Sequence, residues 1–144
     1  MFPSVPRLYN KIFSKIKDNV DKATGCKRWL VNKAIATKLH NLKENNTCVN
    51  GCYDALVFKK MKAIMGGNVK VMITGSAPIA KDVLDFLKIC FCCPIVEGYG
   101  LTETAAGSCI QKPDDFSSGN CGGPVANVKL RLRDIPEMNY LSTN

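Results

Sequence analysis

The stretch Val69-Lys70-Val71-Met72-Ile73-Thr74-Gly75-Ser76-Ala77-Pro78 joins a β-branched, apolar run to a tight turn. Such a run, bounded by glycine, predicts a strand over residues 69–74, with residues 75–78 as the turn that leaves it. Residues 79 to 91 then predict a helix. Pro78 stands near its first turn, Asp82 and Asp85 lie toward its N-terminal half, and Ile79, Val83, Phe86, Leu87 and Cys90 share a face. Pro94-Ile95-Val96-Glu97 predicts a second strand, which runs directly into Gly98-Tyr99-Gly100-Leu101-Thr102-Glu103. Strand, helix and strand within about 30 residues make a βαβ unit with parallel strands. The expected fold class is α/β.

Upstream, the spacing changes from two to about 3.6. Leu8, Ile12, Ile16 and Val20 fall at successive i, i+4 positions and predict a helix over residues 7–22. Leu30, Ala34, Thr37, Leu39 and Leu42 predict a second over residues 27–44, its lysines mostly on other faces. A third is expected over residues 53–65, stopped by Gly66-Gly67. Downstream the chain is loop-rich. Short strands are expected over residues 107–110 and, from alternating apolar and basic residues, over 128–133; residues 112–115 read as a turn and 119–124 as irregular. The expected organisation is a basic helical segment (1–67), the βαβ unit (68–103) and a loop-rich segment (104–144).

Composition narrows the function classes. With 144 residues and 46% hydrophobic content, the chain can bury an ordinary core. Its longest apolar runs are far short of the roughly 20 residues that span a bilayer, and residues 1–6 lack the pattern of a secretory signal. Residues 1–62 carry 13 Lys/Arg against 4 Asp/Glu, whereas residues 63–144 carry 7 against 8. That asymmetry fits a solvated helical face, or else a surface for anionic membrane or nucleic acid. Aromatic interleaving of the single-strand-binding kind is thin, with Trp29 the one tryptophan, so no nucleic-acid partner is expected. Eight cysteines without paired C-x-x-C spacing, beside a single histidine, argue for reduced thiols rather than a zinc site. His40, on a lysine-rich helix, reads as structural or solvent-facing and leaves no Ser/His/Asp arrangement.

The chemistry concentrates in the two loops that leave the expected parallel strands. Ligands of parallel α/β sheets bind at the strands' carboxyl ends, so both loops can face one ligand. Gly75 lets the backbone approach a flat group, with Ser76 and Ala77 keeping the turn small. Tyr99 offers a stacking face between two glycines. Thr102 and Glu103 supply a neutral and an ionised oxygen, hard donors suited to phosphate and Mg²⁺. No G-x-x-x-x-G-K-[ST] cradle is present, and Gly98-Tyr99-Gly100 lacks the third glycine of a dinucleotide fingerprint.

The run Met72-Ile73-Thr74-Gly75-Ser76-Ala77-Pro78, followed by Glu97-Gly98-Tyr99-Gly100-Leu101-Thr102-Glu103, resembles the adenylate-forming enzymes. The subgroup it resembles is the long-chain acyl-CoA synthetases, through Val5-Pro6-Arg7-Leu8-Tyr9-Asn10, Lys27-Arg28-Trp29-Leu30, Leu56-Val57-Phe58-Lys59-Lys60, Gly119-Asn120-Cys121-Gly122-Gly123-Pro124 and Pro136-Glu137-Met138-Asn139-Tyr140. The resemblance implies part of the large N-terminal domain of an enzyme that joins a long-chain fatty acid to ATP, releasing pyrophosphate, and passes the acyl group to coenzyme A. It further implies that Gly75, Ser76, Ala77, Glu97, Gly98, Tyr99 and Thr102 bind the nucleotide, that Thr102 and Glu103 are catalytic, and that Glu103 holds Mg²⁺. Gly100, Ala105, Ala106 and Gly107 would leave room for the acyl chain.

The same resemblance marks what these residues do not contain. The Ser/Thr/Gly-rich phosphate loop, the ribose-binding aspartate and the catalytic lysine of a small C-terminal domain have no counterpart in this sequence. The chain is therefore expected to be inactive alone. The alternatives are a noncatalytic basic module for anionic membrane or nucleic acid, and a piece of a ligase for other acids. The family is commonly membrane-associated and faces the cytosol, so contact with a membrane surface is a further expectation.

Overall fold

A computed structural model describes residues 1–141. Its elements are β1 (Phe2–Ser4), α1 (Pro6–Asp21), α2 (Gly25–Asn45), α3 (Gly51–Tyr53), a π-helical turn (Asp54–Phe58), α4 (Lys59–Ala63), β2 (Met72–Thr74), α5 (Lys81–Phe91), β3 (Ile95–Tyr99), β4 (Cys109–Ile110) and β5 (Gly123–Pro124). Short 3₁₀ turns occupy Thr102–Thr104 and Pro136–Met138. The strands form one sheet in the order β1-β2-β3-β4-β5. β1, β2 and β3 are parallel, with Ser4 beside Thr74 and Thr74 beside Glu97, and β4 and β5 continue antiparallel from β3. The α/β class and the parallel βαβ unit expected from residues 69–97 are thus present.

The helices form for the reasons that the periodicity gave, with two shifts. Pro6 opens α1, where a missing N–H costs nothing. The buried positions of α1 include Tyr9 and Ile16, while Leu8 of the expected stripe is partly exposed. Tyr9 is buried because its hydroxyl has work to do: it lies 2.9 Å from the Ile73 carbonyl oxygen and 3.1 Å from that of Phe2, fastening α1 across β1 and β2. In α2 the buried stripe is Val31, Ala34, Lys38 and Leu42.

Lys27, Lys33 and Lys43 are exposed, as expected of lysines mostly on other faces, and Lys38 in the buried stripe is the exception. Lys38 donates to Asp54 Oδ1 in the π-helical turn and to the Ile89 carbonyl oxygen, and its ammonium sits 4.2 Å from the Phe58 ring centroid. The ion pair explains how a charge is tolerated at 1% exposure.

α5 touches α1, α2, α4 and β3 and is enclosed on several sides. Leu84, Lys88, Ile89 and Phe91 are therefore buried as well as Leu87 and Cys90, so a one-face reading of this helix is too narrow. α2 ends on Asn46 in the left-handed region (φ 48°), a conformation asparagine tolerates. The Asn46 amide then bridges to the distant loop, donating to the Asp114 carbonyl oxygen and accepting from the Phe116 amide.

Residues 128–133 form no strand, contrary to the alternation of their side chains. Among the described residues no strand pairs with them, and alternation alone makes no ladder. Conversely, β1 escapes a composition reading because it contains Pro3; the edge position, with β2 its single neighbour among the described residues, makes the missing N–H harmless. All eight cysteines are unpaired thiols.

Candidate functional site

The two loops singled out by sequence leave adjacent parallel strands at the same end. Their backbones nearly touch: a Cβ on Gly75 would stand 3.1 Å from the Gly98 carbonyl oxygen. Between them opens a cleft of about 570 Å³, walled by residues 75–81 and 97–101, with Thr74 behind and Gly119 and Cys121 opposite. A second cleft, of about 320 Å³, lies beyond the same strand ends and adds Ala106, Gly107 and the β4 residues Cys109 and Ile110. Open α/β sheets bind ligands in such crevices.

The expected site residues divide between these spaces. Gly75, Ser76, Ala77, Glu97, Gly98 and Tyr99 all line the larger cleft, with Tyr99 half exposed at its rim. Ser76 takes φ 70°, an uncommon backbone state for a side-chain-bearing residue. Gly100, Ala106 and Gly107 line the second cleft, whereas Ala105 lines neither. The space beside Gly100 is not open, since a Cβ there would lie 1.3 Å from the Ala106 carbonyl oxygen. Thr102 and Glu103 sit exposed on the 3₁₀ turn, outside both linings. That turn is held by Thr104, whose hydroxyl oxygen accepts from the Leu101 amide at 2.9 Å, and by the Ala106 amide donating to the Leu101 carbonyl oxygen.

Sequence reading missed the opposite wall and what holds it. Glu97 is buried, and its Oε1 accepts from the Gly119 amide at 2.6 Å, so one carboxylate oxygen positions the wall of the cleft. Its backbone amide donates to Gln111 Oε1 at 2.8 Å, and Gln111 Nε2 donates to the Ser117 carbonyl oxygen at 3.2 Å. Lys88, fully buried on α5, donates to the Phe116 and Ser117 carbonyl oxygens and to Ser118 Oγ, at 2.9, 2.7 and 2.7 Å. Ser118 Oγ in turn donates a hydrogen bond to Asp85 Oδ1 at 2.6 Å. Burial lowers the Lys88 ammonium from its ordinary value, offset by the carboxylates of Asp85, Glu97 and Asp115. The Ser117 hydroxyl and amide, donating to Asp115, hold that carboxyl below its usual range.

Lys81, at the start of α5, adds a cation to the cleft, where the helix N-terminus carries partial positive charge. Its chain packs over Gly119, where a Cβ would meet Lys81 Cε at 2.1 Å. The signals were available: a lysine in the first helical turn after Gly75-Ser76-Ala77-Pro78, and glycines clustered at 119–123. A third space, of about 370 Å³ between α1, α2 and the π-helical turn, is lined mainly by aliphatic side chains and lies away from both loops.

A site of this kind, with parallel-strand loops around a crevice and a cation at its edge, suits an anionic small molecule. The family model described as AMP-binding enzyme matches residues 1–144, and the chain belongs to that family. It is 39% identical over 144 residues to long-chain-fatty-acid–CoA ligase 5 of Rattus norvegicus, covering 100% of this chain and 21% of that protein. It is 39% identical over 142 residues to long-chain-fatty-acid–CoA ligase 1 of Homo sapiens, covering 99% and 20%, and 37% identical over 139 residues to fatty acyl-CoA synthetase A of Dictyostelium discoideum, covering 96% and 20%. The chain thus spans about a fifth of the length of the curated relatives it matches. No solved structure matches it.

Proposed function

We propose that these residues form part of an enzyme that activates long-chain fatty acids with ATP and transfers the acyl group to coenzyme A. The observation that carries this reading is the cleft shared by residues 75–77 and 97–99, in a chain whose relatives are named as long-chain fatty acid ligases. In this reading the fatty acid carboxylate attacks the α-phosphorus of ATP; pyrophosphate leaves and an acyl-adenylate remains. The thiolate of coenzyme A then attacks the acyl carbon, and AMP departs with the electron pair.

The chain's own residues would bind and orient. Gly75, Ser76 and Ala77 form one side of the adenine slot and Glu97, Gly98 and Tyr99 the other, with the Tyr99 ring stacking on the base. Thr102 would donate to an α-phosphate oxygen, which requires the 3₁₀ turn to close toward the cleft. Gly100, Ala106 and Gly107 would border the acyl chain, and Ala105, outside both linings, would join them on the same closure of the turn. Glu103 is an exposed carboxylate beside a hydroxyl, and such a donor set fits Mg²⁺, which is held by one or two carboxylates together with substrate phosphates and water. When bound, that ion supplies charge neutralisation at the phosphates. The exposed lysines of the helical segment suit contact with an anionic membrane surface.

In an enzyme that contains these residues, Glu103→Gln is expected to lower fatty-acid-dependent pyrophosphate release by about 100-fold while leaving the unfolding midpoint unchanged. Unaltered release would remove Glu103 from the metal site. The 144-residue chain by itself is expected to release no pyrophosphate from ATP and fatty acid.

A further inference from the structure

Among the described residues one buried side-chain oxygen has no hydrogen-bond partner, Thr74 Oγ1. The residue is 2% exposed. Of the other buried polar side chains, Lys38, Lys88, Glu97 and Gln111 have partners in the protein, and Ser108, 3% exposed, lines neither cleft. A buried hydroxyl left unpaired is destabilising, and packing alone gives no reason to keep it, because valine would fill the same β-branched volume in a strand.

Its position supplies the reason. Thr74 is the last residue of β2 and lines both clefts. Six residues are common to the two linings: Thr74, Gly75, Ser76, Gly98, Tyr99 and Gly100. Three are glycines, and the hydroxyl-bearing Ser76 and Tyr99 are exposed. Thr74 therefore holds the one buried side-chain hydroxyl at the junction of the two spaces. A hydroxyl can donate one hydrogen bond and accept two, and held in a strand it is already oriented.

We propose that Thr74 is a ligand-contacting residue whose hydroxyl donates to an oxygen of an acyl-adenylate lying across the two clefts. This rests on the adenylate reading of the site and adds to it a residue between the nucleotide and acyl portions. The hydroxyl is thus kept at a cost to the free protein because the bound ligand satisfies it.

The test is calorimetric titration of the 144-residue chain, as wild type, Thr74→Val and Thr74→Ser, with dodecanoyl-sulfamoyl-adenosine, an unreactive mimic of the adenylate. Thr74→Val is expected to bind about tenfold more weakly or worse, Thr74→Ser within about threefold of wild type, and the Thr74→Val unfolding midpoint to be equal to or above that of wild type. Wild-type affinity in Thr74→Val overturns the proposal and leaves the adenylate reading standing; no binding by the wild type overturns both. A lowered midpoint in Thr74→Val, with unimpaired binding by the folded fraction, assigns the hydroxyl a structural role and also overturns it. Should Thr74→Val not fold, Thr74→Ala against Thr74→Ser isolates the hydroxyl: equal affinities overturn the proposal, and a tenfold loss confined to alanine supports it.

Discussion

Gly100 and Gly107 stand at the two ends of the same loop and make opposite demands on a methyl group. A Cβ on Gly100 would overlap the Ala106 carbonyl oxygen, while one on Gly107 meets nothing within 4 Å. Gly100→Ala is therefore expected to destabilise the chain by about 1–3 kcal/mol and Gly107→Ala to stay within about 0.5 kcal/mol, measured as urea unfolding midpoints. Thiol reactivity divides the cysteines just as cleanly. Burial pushes the Cys48 thiol up to about 11, Cys93 to about 12 and Cys90 higher still, whereas Cys26, Cys52 and Cys121 are exposed. Titration with a chromogenic disulfide at neutral pH should show Cys26 and Cys52 reacting rapidly, Cys121, whose thiol is raised by partial burial and by the Glu97 carboxylate, more slowly, and Cys48, Cys90 and Cys93 only on unfolding. At this scale, much of the candidate site was legible, since Gly75, Ser76, Ala77, Glu97, Gly98 and Tyr99 do share a cleft. Lys38 and Lys88 were not, because a lysine in a helix reads as solvated unless its distant partners are known. Those partners, Asp54 and residues 116–118, are far away in sequence.

Among the elements, α5 and the loop of residues 115–119 form one mechanical unit, fastened by Lys88 and Asp85, with Glu97 of β3 holding the loop's far end at Gly119. Lys88→Met removes three charge-assisted hydrogen bonds and strands the Phe116 carbonyl oxygen, while that of Ser117 keeps Gln111 Nε2, so a loss of about 2–3 kcal/mol is expected, with faster amide exchange confined first to residues 115–121. Exchange unchanged in that segment would show that the loop is held by other means. The helices α1, α2 and α5 and the strands β2 and β3 were readable because each repeats its own period. β1 was hidden by Pro3, and residues 128–133 were misread because a strand is defined by its neighbour as much as by its side chains.

For the whole molecule, alkaline pH sets the most general expectation. The thiols of Cys48 and Cys93 ionise near 9.0 when unfolded but only at about 11 and 12 when folded. Their folded values are raised, so their contribution is fully present below pH 9 and is lost as pH climbs toward 11–12. Tyr9, pushed up to about 12 from 10.0, adds to the same trend at still higher pH. Lys88 acts oppositely, because its lowered ammonium makes the unfolded state the better proton binder and favours folding as pH approaches 10.5. The several thiols outweigh the single lysine, and the urea midpoint is expected to fall between pH 9 and 10.5, less steeply in Cys48→Ala. Stability that rises across that interval would contradict the burial of the thiols.

The proposed binding of an adenine nucleotide in the cleft between residues 75–77 and 97–99 carries the proposed function. Its most direct test is amide chemical-shift mapping of the ¹⁵N-labelled chain during titration with ATP. The expected result is saturable shifts concentrated at residues 74–77, 97–101 and 119–121; an absence of shifts, or shifts confined to the groove between α1, α2 and the π-helical turn, would contradict it.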